Sequence, residues 1–558
     1  MAELTWEPPS KGAWELETTH ASRPWTRFTQ KPFAEGFVRG FQRGTAHYGL
    51  MLDHLAPGFV NGFMYNQPRP FGAPPGAAPP PKPVLWALTR LHPKMRARIR
   101  EGAKAFEEKR WRADLEHWDA VDKPAAIEKH RAIQDVDVRS LSDEELADHI
   151  AQCHQHLIDS IYLHHKYTVP SVLLTGDFLA GVQEWTGVAG GPVLQLLRGT
   201  SEISHGFGAR ELSNAADAIR ASSAARAILG DGTEPNAALL ALMDDSIAGT
   251  AVSAYLDAVR YRCVGYDVGD QYAEEMPELL LDTLRAAAQG VTVAAPRDDS
   301  AEAALREQVP QEHRADFDAR LAEARLINRL RDERDAYSDG WATGLARRAL
   351  LEAGRRLAAT AHLNDADHAV DLDVDEVTAP LRGGTGPSAE EVAERFKFRT
   401  THTTDDAPPL IGGEMSPPPD PAQLPAAARR GARAMDAALF NLFGVPDTPN
   451  SGTVLHGLAV NTGVYEGPAR LVDDPSDFGR IKSGDVLVTR MTSPYFNVVL
   501  PLLGALVTDR GGQLCHAAIV AREYGIPGIV GTREATAKIA DGARVRVDGT
   551  TGEVHLLG

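Results

Sequence analysis

A multidomain chain is predicted, mainly helical over residues 1–381, a linker with short helices over 382–449, and a compact α/β domain over 450–558. Three observations lead there. At 558 residues the chain exceeds what one hydrophobic core sustains. Apolar residues recur at helical spacing through most of the first region, whereas from about Asn450 they gather in short runs punctuated by glycine. Between the two, residues 382–426 concentrate proline and glycine, including Pro417-Pro418-Pro419, which no helix continues through.

Composition bounds the function. A hydrophobic share of 43% and a charged share of 24% describe an ordinary soluble globular protein. The net charge of −18 argues against nucleic acid as a partner, and an acidic surface for solubility accounts for it. Three cysteines, Cys153, Cys263 and Cys515, show no paired spacing, so neither a disulfide framework nor a zinc site is expected. Met1-Ala2-Glu3-Leu4-Thr5-Trp6 lacks a basic stretch followed by an apolar one, and no apolar run of about 18 residues occurs. A cytoplasmic protein without a membrane partner is the expectation.

Residues 1–66 carry many aromatics, among them Trp6, Trp14, Trp25, Phe33, Phe37 and Phe63. They line a pocket for an aromatic substrate or form the core of a subdomain. Residues 68–83, rich in proline, read as an extended loop. Ser142, with Glu145 three residues on, starts a long helix that carries His149, Cys153, His154, His156, His164 and His165. No two of these histidines stand four apart, so no metal helix is expected, although one could serve as a base. Residues 300–360 read as long helices. There Arg331 and Arg334 either pair with neighbouring carboxylates such as Asp335 or face a phosphate. Gly383-Gly384-Thr385-Gly386-Pro387-Ser388 lacks the Gly-Lys ending of a phosphate loop, and Ser388 with Glu391 is read as a capping box.

The most informative string is Thr508-Asp509-Arg510-Gly511-Gly512-Gln513-Leu514-Cys515-His516-Ala517-Ala518-Ile519-Val520-Ala521-Arg522. A buried strand ends, two glycines break the pattern, and a helix begins at about Cys515. His516 then falls in the first turn, where backbone N–H groups lack intrahelical partners and attract anions. An imidazole there can act as a nucleophile whose phosphorylated form is stabilised as its charge develops.

This string resembles the phosphohistidine segment of the phosphoenolpyruvate-utilising enzymes, a family that includes phosphoenolpyruvate synthase, pyruvate phosphate dikinase and rifampicin phosphotransferase. Tyr524-Gly525-Ile526-Pro527-Gly528-Ile529-Val530-Gly531 and, upstream, Thr492-Ser493-Pro494 extend the resemblance, which covers 450–558 and only patches elsewhere. It implies a swivelling phosphohistidine domain with His516 as the phosphorylated residue, and Thr508, Gly511, Gly512 and Arg522 around the phosphate. The segment from Leu330 to Tyr337 resembles an arginine-glutamate helix of the same family, which implies catalytic roles for Arg331, Glu333 and Arg334. Thr18-Thr19-His20 with Pro24-Trp25 resembles the start of the rifampicin phosphotransferase substrate region, placing His20 and Trp25 in a substrate pocket. Leu514 stands where the synthase has a regulatory threonine, so control through that residue is not expected.

No ATP-grasp unit is identifiable, and the arrangement resembles rifampicin phosphotransferase without its ATP-binding domain, or the histidine-bearing subunit of phenylphosphate synthase. The resemblance implies dikinase-type chemistry in which ATP with Mg2+ is bound on a separate ATP-grasp partner. His516 takes the phosphoryl group, and the domain swings on the linker to a hydroxyl of a small, aromatic substrate. The alternatives are a regulatory phosphocarrier and a complete single-chain kinase with its own ATP site.

Overall fold

The computed structural model describes the chain apart from residues 1–3, 189, 201–207, 231, 291–298, 445–448, 473–474, 493–495, 497–498 and 558. Ser493 and Pro494 of the upstream match therefore lie outside the described residues. The chain forms two compact units. One comprises Met1–Leu173, Gly265–Gln271 and Glu333–Arg433, the other Leu174–Val264, Tyr272–Asp332 and Ala434–Gly558. Residues 450–558 thus share a unit with helices from the middle of the chain.

The first unit is built on two long helices, Arg27–His47 and Asp143–Lys166. They approach closely because Gly36 and Gly40 stand one turn apart. A Cβ at either would meet the Ile158 or Tyr162 carbonyl at 2.6 or 2.5 Å. The second helix begins on the expected capping box. The Ser142 hydroxyl accepts from the Glu145 N–H, and the Glu145 carboxylate takes the Ser142 N–H at 2.8 Å, an arrangement in which the Ser cap alone contributes about 1 kcal/mol. Beside these helices lies an antiparallel sheet in the order Leu52–Val60, Phe63–Pro70, Trp14–Leu16, Leu410–Ile411. Its first hairpin turns on Asn61 and Gly62, both left-handed at φ 51° and 81°, the backbone that an Asn-Gly turn supplies.

Trp25, expected in a substrate pocket, is 4% exposed and packs on the rings of Phe33 and Phe59. Across the same unit Arg399 grips Asp371 through two parallel bonds of 2.8 and 3.0 Å, both side chains buried.

In the second unit an eight-stranded mixed sheet runs in the order Val454–His456, Glu553–Leu556, Arg544–Asp548, Val464–Leu471, Asp485–Thr489, Leu503–Thr508, Gly528–Val530, Leu458–Asn461. The four strands from Val464–Leu471 to Gly528–Val530 are parallel neighbours, and the outer pairings are antiparallel. The Asp485–Thr489 strand is buried along its whole length, as a parallel strand covered on both faces must be. The helix His516–Tyr524 covers one face, with Ala517, Ala518, Val520 and Ala521 packed against Leu487, Leu506 and Val530. Small alanines let it lie close to the strands, so the first turn is held rigidly at their carboxyl ends. Among the described residues no helix is long and apolar enough to cross a membrane.

Candidate active site: a histidine at a helix N-terminus

The loop between the Leu503–Thr508 strand and the His516–Tyr524 helix is anchored at every step. The Asp509 N–H bonds the Thr489 carbonyl at 3.1 Å, and its carboxylate accepts from Thr532 and Thr536. Gly511 follows at φ 102°, where a Cβ would also meet the Cys515 sulfur at 2.6 Å. Gly512 touches the end of the Ala426–Phe443 helix. Its N–H donates to the Leu442 carbonyl at 2.9 Å, and a Cβ there would meet the Asn441 carbonyl oxygen at 2.4 Å. Leu514 donates to that same Asn441 carbonyl at 2.7 Å.

These bonds engage several residues of the expected phosphate cradle. The Gly512 N–H is committed to Leu442, so in this arrangement it is not offered to a phosphate. Thr508 is fully buried, and its hydroxyl donates to the Arg510 carbonyl at 2.8 Å. Arg522, 4% exposed, donates to the Gln513 carbonyl, and burial lowers its guanidinium to about 10. In this arrangement three of the four residues expected around the phosphate hold the loop together. The physical reason is common to them: backbone carbonyls in a buried turn need donors.

His516 itself is half-buried and opens the helix, whose preceding residue, Cys515, makes no side-chain capping bond. Its Nδ1 lies 2.9 Å from the Thr492 hydroxyl. The Arg331 guanidinium donates to the Leu514 carbonyl. Burial first, and the Arg331 charge second, bring His516 down to about 3. The imidazole is therefore neutral across the physiological range, which is the nucleophilic form. Burial raises the Cys515 thiol, so it is not an activated thiolate. Two turns on, Glu523 accepts the Gly199 N–H at 3.1 and 3.0 Å, and burial lifts its carboxyl to about 7.

The side chains of the arginine-glutamate segment meet different partners. Arg331 reaches the His516 loop, whereas Glu333 accepts from Trp118 and Lys123 at 2.9 and 3.0 Å. Arg334 donates to the Thr168 hydroxyl at 2.8 Å and the His164 carbonyl at 3.3 Å. Helical geometry explains the split. Residues 331 and 333 lie about 200° apart around one helix, on nearly opposite sides.

His20 sits in the first unit beside Glu17, its Nδ1 3.0 Å from a carboxylate oxygen. Near it, ligand atoms of His164, Asp335 and Asp339 lie within 4.8 Å of one another. Two of these already bond each other, His164 Nδ1 to Asp339 at 2.8 Å. Sequence reasoning missed Thr492, Glu17 and Asp339 as partners. Only Glu17 left a local signal, standing three residues before a histidine.

Comparison with known proteins bears on both regions. Residues 481–552 match the model for the PEP-utilising enzyme, mobile domain, and residues 166–359 the rifampicin phosphotransferase fourth domain. His516 falls in the first match and Arg331 in the second. The chain is 32% identical to the uncharacterized phosphotransferase YvkC of Bacillus subtilis, over 41% of this chain and 26% of that protein. It is 30% identical to a rifampicin phosphotransferase of a Streptomyces species, over 67% of this chain and 42% of that protein. Against the phosphoenolpyruvate synthase of Escherichia coli the identity is 44%, over 18% and 13%. The chain thus spans well under half the length of these relatives. It carries the mobile domain of the PEP-utilising enzymes, resembles rifampicin phosphotransferase over its middle third, and is related to that group of phosphotransferases.

Proposed function

We propose that this chain is a phosphotransferase component in which His516 accepts a phosphoryl group and passes it to a hydroxyl of a small aromatic molecule. The observation that carries the reading is the setting of His516: a neutral imidazole at a helix N-terminus, its Nδ1 at Thr492 and the Arg331 charge at hand. With Nδ1–H donated to the Thr492 oxygen, Nε2 keeps the lone pair and attacks phosphorus. The new N–P bond replaces the bond to the leaving phosphate, and the proton on Nδ1 lets the ring depart later as neutral imidazole. Arg331 offsets the phosphate charge with a fixed cation, and the first-turn N–H groups add their partial positive charge.

The phosphoryl donor is ATP with Mg2+, bound on a separate ATP-grasp partner, in dikinase fashion. What supports ATP as the donor is the mobile-domain match and the relatedness to rifampicin phosphotransferase and phosphoenolpyruvate synthase. The relatives named for rifampicin and for phosphoenolpyruvate synthesis support a transfer role over a purely regulatory carrier.

Incubation with ATP labelled at the β or γ phosphate, with and without an ATP-grasp protein, tests the reading. Acid-labile label on His516 only when the partner is present is the expected result, and H516A should take up none. Label without a partner would favour a self-sufficient kinase. Label that no small hydroxylated compound discharges would favour the phosphocarrier. Equal labelling of H516A would overturn the proposal.

A further inference from the structure

Within the second unit a cleft of about 350 Å³, open solvent included, runs beside the helix that His516 opens. Ile519 and Glu523 line it from that helix, and Arg198, Asn328 and Arg331 from the segments packed on it. Ile519 and Glu523 follow His516 by three and seven residues, so the cleft lies along the helix face that carries His516. His516 is not itself among the described residues that line it.

Two arginines of the lining are engaged with the loop. Arg331 donates to the Leu514 carbonyl and Arg522 to the Gln513 carbonyl. Arg198 differs. Its Nε and Nη2 are buried, and neither has a hydrogen-bond partner among the described residues. These two nitrogens form one edge of the guanidinium, and the same edge grips carboxylates elsewhere in the chain. Nε and Nη2 of Arg399 hold Asp371 at 2.8 and 3.0 Å, and those of Arg306 hold Asp318 at 2.7 and 2.8 Å. Two buried donors without an acceptor cost their desolvation, which an oxyanion on that edge recovers.

The other charges of the cleft permit an anion. Asp332 and Glu523 also line it, and Glu523 feels the Arg198 charge. Glu523 takes the Gly199 N–H with both oxygens, and burial lifts its carboxyl to about 7. Three arginines against Asp332 and a partly protonated Glu523 leave the lining positive at neutral pH.

We propose that this cleft binds a doubly charged oxyanion of the phosphate class, held on the Nε–Nη2 edge of Arg198 with Arg331 lining the same space. A carboxylate satisfies one guanidinium edge, whereas a second arginine and a positive lining offset a second charge. The site goes beyond the phosphotransfer reading and does not depend on it, since no phosphorylation of His516 is needed to fill it. Occupancy is felt at His516, because Arg331 holds the Leu514 carbonyl two residues earlier and its charge reaches the imidazole.

Calorimetric titration of the full chain at neutral pH with inorganic phosphate, methyl phosphate and acetate tests this. Inorganic phosphate or methyl phosphate should bind with a Kd of about 1 mM or tighter, and acetate at least about tenfold more weakly. The tighter of the two phosphates names the source, the free ion or a phosphorylated small molecule. R198K keeps the charge but loses the planar edge, and should weaken phosphate at least about tenfold. R210Q removes a charge whose side chain is 86% exposed, and should stay within about twofold of wild type. With isotope-labelled histidine, the His516 ring resonance should move on adding phosphate to wild type, and stay put in R198K at the same concentration. No phosphate binding to wild type up to about 10 mM, equal binding by R198K, or acetate binding as tightly as phosphate would overturn the site. A His516 resonance unmoved while phosphate binds wild type would overturn its coupling to the imidazole.

Discussion

The Thr492 hydroxyl lies 2.9 Å from Nδ1 of His516, across 24 residues of sequence. In the proposed reaction, a proton on Nδ1 shared with the Thr492 oxygen leaves Nε2 to meet phosphorus. Replacing Thr492 with Val removes one hydrogen bond, a change of about 0.5–1.5 kcal/mol. Labelling of His516 should slow about two- to tenfold by the corresponding rate factor, and Thr492→Ser should restore it. A T492V variant that labels at the wild-type rate would show the contact to be incidental.

Arg331 should govern the pH range of His516. The neutral ring is the reactive form, and it is present above the titration midpoint, which burial and Arg331 together hold near 3. Arg331→Ala removes one of the two causes, so the midpoint moves up toward the ordinary 6.5. Labelling at low pH should then fall more than labelling at pH about 8. Ring-proton NMR of His516 reads the midpoint directly. Arg331→Lys keeps the charge, and should keep the depressed midpoint while losing the planar fork.

Glu523 predicts a pH-dependent contact. Its folded carboxyl titrates near 7 against an ordinary 4.5, because burial disfavours the anion. The folded chain therefore holds a proton that the unfolded chain releases. The stability it contributes is complete below about 4.5, declines as pH rises between the two values, and is level above about 7. The urea unfolding midpoint should therefore fall more between pH about 5 and about 8 in wild type than in E523Q.

The buried Arg399–Asp371 pair should be the costliest ion pair in the first unit to break. Removing one partner strands a charge at sites 6% and 5% exposed, a loss of about 3–5 kcal/mol. Asp371→Ala should lower the urea midpoint accordingly, and adding Arg399→Met should recover part of it. Additive losses in that double mutant would sink the argument.

Much of the second unit was legible because its signals are local. Short apolar runs set off by glycine gave the strands, and the Gly-Gly break before Cys515 gave the helix that starts at His516. The capping box at Ser142 is likewise a four-residue pattern. The Asn61-Gly62 hairpin is an equally local signal. What could not be read were partners distant in sequence: Thr492 for His516, Asn441 and Leu442 for the glycine loop, Asp339 for His164. No periodicity encodes such pairings. That Arg331 and Glu333 meet different partners has a simpler reason. A helix turns about 100° per residue, so near neighbours in sequence face different ways.

The sulfur of Cys515 occupies the space into which a side chain at Gly511 would project, 2.6 Å away. Substitution at either position should therefore be felt at the other. Gly511→Ala alone meets both a steric clash and a left-handed backbone. In a Cys515→Ala background the sulfur is gone but the Cβ of residue 515 still stands 2.9 Å away; only Cys515→Gly removes both contacts, leaving a backbone term of about 1 kcal/mol. Across relatives, a side chain larger than hydrogen at the first position should appear only alongside a smaller one at the second, a covariation that an alignment would expose without any experiment.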